Sequence, residues 1–392
     1  MGRRVVLCID GTDNSPTAMA KNEDGETEPV RTNVSRFFRM LVKQDATQSA
    51  YYQPGVGTID PERSDGKWAK VRNWIGRKRD SLFARSLRTH VAAAYTYLMN
   101  EYRDDDEVFL LGFSRGAFVC RVLAGMVHKV GLLHRGHDEM VPFAWQVYLP
   151  RQNFEAAGRF KKFYSRTAKI RFLGLWDTVS SVGNPLQMAV FPHTQQNDAV
   201  AIVRHAMAID ERRVMFQQNL WTDSPPARQD VLQVWFPGVH ADIGGGYTGD
   251  SAPGLAGIPL AWMVQEARLA DVEFDEAQVK RLLWPRWLKA PDPLDIQTVT
   301  QQYAGAEQHD EIQTHLYWRV LEKLPLPRTR RVSEEEWRRE YSRHQSAPRN
   351  LKSSKGTTNT IRVHHSADVR KERRPDYAPV NLLLASEIPR VW

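Results

Sequence analysis

Val108-Phe-Leu-Leu-Gly112-Phe-Ser114-Arg-Gly116-Ala-Phe118 is the stretch on which the reading of this chain turns. Four apolar residues predict a buried strand, the strand runs into Gly-x-Ser-x-Gly, and apolar residues at Val122, Leu123, Met126 and Val127 then recur with helical spacing. Strand, sharp turn and helix form the context in which this motif presents a serine as a nucleophile. Ser114 is expected at a strained turn, its hydroxyl thrust out at the end of a sheet. Gly112 and Gly116 fit because a Cβ at either position would strike the neighbouring strand or helix. The Arg115 N–H, at the helix start, would then donate to a developing oxyanion. The competing reading is a tight turn around a buried serine.

Working outward, Arg4-Val-Val-Leu-Cys-Ile9 predicts a second buried strand emptying into Asp10-Gly11-Thr12-Asp13. Ligands of α/β sheets bind at such carboxyl ends. Backbone N–H groups of Gly11 or Thr12 are candidates for the second oxyanion donor. An Asp-x-Asp-Gly-Thr phosphatase is the rival reading, and it is weak because Cys8 stands where its nucleophilic aspartate would be. Further strands are expected at Tyr51–Thr58, at Ala168–Trp176 and at Val231–Phe236, with helices over Val34–Val42, Ser86–Tyr102, Asp198–Met215 and Pro259–Leu269. Trp68 and Trp74 fall in a basic loop. This alternation predicts the α/β class, a mainly parallel sheet of α/β-hydrolase type flanked by helices, with a helical and loop C-terminal extension. We expect a catalytic core over residues 1–265, with an insertion at about 183–230, and a partly basic extension over 266–392 packing back on the core.

Three residues sit just past predicted strands in the order Ser114, Asp177, His240. A serine hydroxyl is a poor nucleophile until an imidazole takes its proton, and a carboxylate fixes the imidazole tautomer and steadies its cation. Sheet topology can bring such distant residues to one rim. Alone, each has a plainer role: Asp177 as a helix cap, His240 as a loop histidine. Asp242 is the substitute acid, Asp10 a supporting residue, and His128, His134, His205 and His365 are alternative bases. A metal site could be drawn from Asp10, Asp13, His240 and Asp242, but no metal-ligand spacing accompanies them. The chemistry needs no cofactor.

Composition narrows the class. The chain has 392 residues, 42% of them hydrophobic, and a mean hydropathy of -0.52. That is ample material for a core, while no apolar run approaches the ~20 residues of a membrane-spanning helix. The amino-terminal apolar stretch is too short for a signal peptide, so a cytoplasmic site of synthesis is expected. Cys8 and Cys120, the two cysteines, argue against a disulfide framework. Between Arg328 and Arg374 there are 14 Lys/Arg against 6 Asp/Glu, a surplus equal to the whole chain's net charge of +8. No zinc-finger or RNA-binding aromatic signature accompanies it, which argues against nucleic acid. The basic stretch is either a solvated face or a contact for anionic lipid. Trp284, Trp287, Trp318 and Trp337 are read as interior packing ahead of a lid or interfacial anchor, and polar Ser346–Thr360 as a mobile loop.

Asp10-Gly-Thr, Tyr52-x-Pro-Gly-Val-Gly57, Gly112-Phe-Ser-Arg-Gly-Ala117, Trp176-Asp-Thr-Val179, His205-x-x-x-x-Asp-Glu-Arg212, Gly238-Val-His-x-Asp-x-Gly-Gly-Gly-Tyr247 and Leu260-Ala-Trp-Met263 appear in this order. Together they resemble the catalytic domain of the first family of type VI secretion lipase effectors, and the likeness resumes at Val363–Arg370. The resemblance implies an α/β-hydrolase-like fold and phospholipase A activity on acyl esters of glycerophospholipids, with Ser114, Asp177 and His240 as triad. It also implies an antibacterial effector with a phospholipid membrane surface as substrate, a secretion spike partner, an immunity protein, and delivery from the producing cell's cytoplasm into a target cell. Large members carry a further membrane-binding module of several hundred residues, whereas a compact C-terminal extension is expected here. An esterase or thioesterase on soluble substrates and a non-catalytic binding module on the same fold are the alternatives.

Overall fold

The computed structural model describes residues 2–11, 19–21, 27–29, 31–44, 46–55, 78–149, 154–179, 191–213, 216–247, 253–285, 288–292, 294–314, 318–319, 323, 325–331, 337–343, 346–352 and 358–392. Its centre is an eight-stranded sheet built from β1 (Arg4–Ile9), β2 (Gln48–Gln53), β3 (Glu107–Phe113), β4 (Lys169–Trp176), β5 (Val200–Ala208), β6 (Asp230–Phe236), β7 (Ile361–His364) and β8 (Arg390–Val391). The spatial order is β8-β7-β6-β5-β4-β3-β1-β2. Every pairing is parallel.

A parallel sheet needs both faces covered, and its strands are accordingly apolar on both. Alternate residues of β1 divide between two cores. Val5, Leu7 and Ile9 belong to a core shared with α2 (Lys78–Glu101), α3 (Arg115–Val130) and α4 (Val141–Tyr148). Val6 and Cys8 belong to the core of the other face, shared with α1 (Asn33–Met40), α7 (Gly257–Leu269), α8 (Glu276–Leu283) and α9 (Ile296–Tyr303). Two further helices, α5 (Phe154–Tyr164) and α6 (His240–Gly244), follow α4 in the chain; Phe160 joins the first core and Ile243 the second. Cys8 and Cys120 are buried free thiols. No helix among the described residues is long and apolar enough to cross a membrane.

The structure differs from the sequence expectations in several places. The helix read over Asp198–Met215 is instead β5, hydrogen-bonded between β4 and β6 in the middle of the sheet. It follows that the 183–230 segment is not simply an insertion, since it supplies a core strand. The chain beyond 265 supplies more than helix and loop: β7 and β8 extend the same sheet at its edge, and α10 (Ser366–Arg373) follows β7. The start of the polar Ser346–Thr360 stretch is an anchor, with Arg349 and Leu351 buried. Residues 353–357, and the Trp68, Trp74 and Trp287 positions, lie outside the described residues.

From β1 the chain goes to β2 at one side and then crosses to β3 at the other. That makes the carboxyl ends of β1 and β3 the switch point of the sheet, where α/β folds open a crevice. Gly116 lets the two ends close on each other. A Cβ there would lie 2.2 Å from the Ile9 carbonyl oxygen and 2.5 Å from that of Asp10. Both obstacles are backbone and cannot yield locally. Gly116→Ala is therefore expected to cost about 3 kcal/mol, read as a lower urea midpoint at unchanged m-value; a midpoint within error of the parent would refute the close approach.

Candidate active site

Five strand ends converge on one rim. β3 ends at Ser114, β4 at Asp177, β5 at Asp210 and Glu211, and β6 at the loop before His240, while β1 delivers Asp10 beside them. Ser114 has φ 56° and ψ −119°, immediately before α3. This is left-handed backbone that a serine adopts only when its surroundings enforce it. Enforcement comes from the Ser114 N–H, which donates to the Trp176 carbonyl at 2.9 Å. It also comes from Gly112, where a Cβ would lie 2.7 Å from the Ala117 nitrogen.

The predicted three meet. Ser114 Oγ lies 2.8 Å from His240 Nε2, and His240 Nδ1 lies 2.5 Å from Asp177 Oδ2. An ionised Asp177 can only accept, so Nδ1 carries the proton and Nε2 is left as the acceptor facing the serine hydroxyl. His240 is buried between the rings of Phe113 and Phe216, each with its centroid 4.7 Å away. Burial pulls its pKa below the ordinary histidine value, against the opposing pull of Asp177. An uncharged imidazole near neutral pH is the form that can take a proton from serine.

Asp177, itself at φ 40°, is held from several directions. Its N–H donates to the Ala206 carbonyl at 2.7 Å, and its Oδ1 accepts the Ala208 N–H at 3.1 Å. Arg349 closes on it as a fork, Nη1 to Oδ1 at 2.6 Å and Nη2 to Oδ2 at 3.0 Å. Burial alone would raise this carboxyl's pKa. The Arg349 charge and the His240 hydrogen bond outweigh burial and hold it well below the usual carboxylate range.

Nothing in the sequence pointed to Arg349. It lies 172 positions from Asp177, in a stretch read as loop. Glu211 was present only as one letter of a motif. It accepts the His240 backbone N–H at 3.2 Å and pairs with Arg213 at 2.7 Å, whose guanidinium carbon in turn lies 3.8 Å from the Phe216 ring centroid. With Asp198–Met215 read as helix, no strand end marked Glu211 in the sequence.

The remaining candidates are placed apart from this line. Asp242 accepts the Val239 N–H at 3.0 Å and contacts His309 Nδ1 at 2.7 Å, so its carboxylate braces the turn before α6 and not the His240 imidazole. His205 is fully buried, with Nε2 accepting the Thr178 N–H at 3.1 Å. His128 packs against His193, and His365 against Trp392. His134 lies against His137. Asp10 accepts from Thr32 Oγ1 at 2.6 Å and from Tyr52 Oη at 2.7 Å. Its other oxygen takes the Gly11 N–H at 2.6 Å, so that amide must turn from Asp10 before it can serve an oxyanion. Thr12 lies outside the described residues, as does Asp13. Arg115 opens α3, where the backbone N–H groups of a helix start carry partial positive charge.

Comparison with known proteins places this architecture. Residues 3–266 match the family described as "T6SS, Phospholipase effector Tle1-like, catalytic domain". The chain is 38% identical over 239 residues to the uncharacterized protein YEL023C of Saccharomyces cerevisiae (strain ATCC 204508 / S288c), a match covering 57% of this chain and 33% of that protein. It thus spans about a third of the length of this curated relative. Among solved structures, an uncharacterized protein from Pseudomonas aeruginosa aligns with TM-score 0.40 and 18% identity, over 78% of this chain and 53% of the other. The structure of the Tle1 effector bound to the VgrG spike of the type 6 secretion system aligns with TM-score 0.42 and 15% identity, over 81% and 83%. With residues 3–266 matched, this chain belongs to the family of Tle1-like phospholipase effector catalytic domains of type VI secretion.

Proposed function

We propose that the chain is a serine hydrolase that cleaves acyl esters of glycerophospholipids, a phospholipase A, through an acyl-enzyme. The observation that carries this reading is the continuous relay Ser114–His240–Asp177, with contacts of 2.8 and 2.5 Å at the carboxyl rim of the sheet. Ser114 attacks the ester carbonyl as His240 Nε2 takes the hydroxyl proton. The tetrahedral oxyanion is received at the start of α3 by the Arg115 N–H, with Gly11 or Thr12 as second donor. His240 returns its proton to the leaving alcohol, and water then releases the fatty acid by the same steps in reverse roles. Asp177 keeps the imidazole tautomer fixed throughout. Family membership supports lipid esters over other acyl donors. It also supports an effector role, with export by the type VI apparatus on a spike protein and an immunity protein in the producing cell.

The surplus of Lys and Arg between 328 and 374, apart from the buried Arg349 and Arg370, supports contact with anionic lipid, worth about 1 kcal/mol per cation close to the surface. Co-sedimentation with vesicles is expected to rise with anionic lipid and fall with salt, and binding indifferent to both rejects that contact. The decisive experiment for the enzyme pairs fluorophosphonate labelling of Ser114 with fatty-acid release from a phospholipid panel. Labelled protein that releases fatty acid only from soluble monomeric esters would replace the phospholipase by an esterase. Protein that neither labels nor hydrolyses would leave a binding module.

A further inference from the structure

Arg349 reaches the relay from a part of the chain well beyond residue 266, where the family match ends. Both members of the pair are buried, Arg349 at 4% exposure and Asp177 at 1%. The guanidinium is fixed from behind, Nη1 donating to the Ala208 carbonyl at 3.2 Å and Nη2 to that of Phe216 at 2.5 Å. The segment carrying it is pinned at three successive carbonyls: Arg349 to Asn381 at 3.2 Å, Asn350 to Gln218 at 3.0 Å and Leu351 to Trp235 Nε1 at 3.0 Å. A planar fork against both oxygens leaves the carboxylate one orientation, which a single contact to an imidazole would not.

We propose that Arg349 is a positioning residue for the hydrolytic relay, gripping Asp177 so that the carboxylate aims at His240 and offsetting part of its charge so that the imidazole stays uncharged at lower pH. The inference rests on the hydrolase reading. The charges facing His240 decide its direction. Asp177 and Glu211 are negative; Arg349 and Arg213 are positive, the latter shared between Glu211 and, at 4.0 Å, Glu311. On its own helix Asp242 is paired with His309. Buried His205, behind Asp177, is held uncharged by burial and by Arg121. Taking away Arg349 leaves two carboxylates against one guanidinium, and the imidazolium becomes easier to form.

The test follows the His240 imidazole by NMR titration, its signal assigned by loss in His240→Asn, in the parent chain, Arg349→Gln and Arg349→Lys, beside pH profiles of kcat/KM. The parent imidazole should titrate below the ordinary ~6.5. In Arg349→Gln the midpoint and the acid limb of kcat/KM should move up together by about one pH unit, with kcat lower by on the order of 10²-fold as the relay loses its aim. Arg349→Lys, which keeps the charge but not the fork, should titrate near the parent and recover part of kcat. A folded Arg349→Gln with an unmoved titration would reduce Arg349 to a structural tether and overturn the proposal. A parent imidazole titrating at or above ~6.5 would overturn it even if no variant folds. A chain that hydrolyses no ester while its titration shifts as stated would sink the hydrolase reading and spare the coupling of Arg349 to His240.

Discussion

Ser114→Ala is expected to lower turnover of a phospholipid ester by about 10⁶-fold, with the fold intact. The size follows from the relay acting as a unit: once the attacking oxygen is gone, His240 and Asp177 have nothing to activate. His240→Ala should therefore cost about as much, and the double variant little more than either single one. What survives, about 10³-fold over water, is owed to substrate binding and the oxyanion donors alone. Stability should hardly change, because Ser114 Oγ makes one side-chain hydrogen bond, to His240, and an alanine removes a single atom. Alanine meets the same unfavourable backbone at φ 56° that serine already occupies. Turnover would be compared at saturating substrate beside thermal unfolding of each variant. A Ser114→Ala chain retaining a tenth of parental turnover would remove serine from the mechanism, whatever the geometry.

How much of this arrangement was legible beforehand can be argued residue by residue. The elbow was legible because its motif is contiguous: Gly112 is needed by backbone contacts within the strand-turn-helix unit, while the need for Gly116 comes from the end of β1. The acid and base were legible because each follows a run of buried strand residues, and a parallel sheet gathers such ends at one rim. β5 was not legible as a strand. Its sequence, Val-Ala-Ile-Val-Arg-His-Ala-Met-Ala, is buried on both faces over most of its length, so it lacks the alternation that separates a strand from a buried helix. Arg349 was illegible for a different reason. A buried arginine reads from sequence as one more cation in a polar stretch, and only the carboxylate it meets shows otherwise. The same holds for Asp242: its nearness to His240 in sequence made it the substitute acid, while the turn at the start of α6 directs its carboxylate to Val239 and His309.

Asp177→Asn is expected to lower turnover by about 10⁴-fold and, unlike the serine variant, to destabilise the fold by about 3–5 kcal/mol. The catalytic loss is one of tautomer. An amide no longer holds the proton on His240 Nδ1, and an amide nitrogen turned towards the ring favours the tautomer whose Nε2 cannot accept from Ser114. The loss of stability has its origin on the other side of the carboxylate. Arg349 would keep its two carbonyl partners but lose the anion that compensates a buried guanidinium. The sign of the pH dependence follows from the same pair. Because the folded Asp177 carboxyl is held well below its ordinary range, its contribution is fully present above the unfolded value of about 3.9. It drains away as pH falls through that value towards the depressed folded one, since the unfolded chain then takes up a proton that the folded chain refuses. Urea unfolding of parent and variant should thus show the full gap at pH 7 and a narrowing gap below about pH 4. A gap that widens with acid, or a variant as stable as the parent at neutral pH, would mean that the buried fork contributes nothing to the fold. Near-parental turnover in the same variant would mean that Asp177 does not orient the base, and with it the relay would fail as the source of activity.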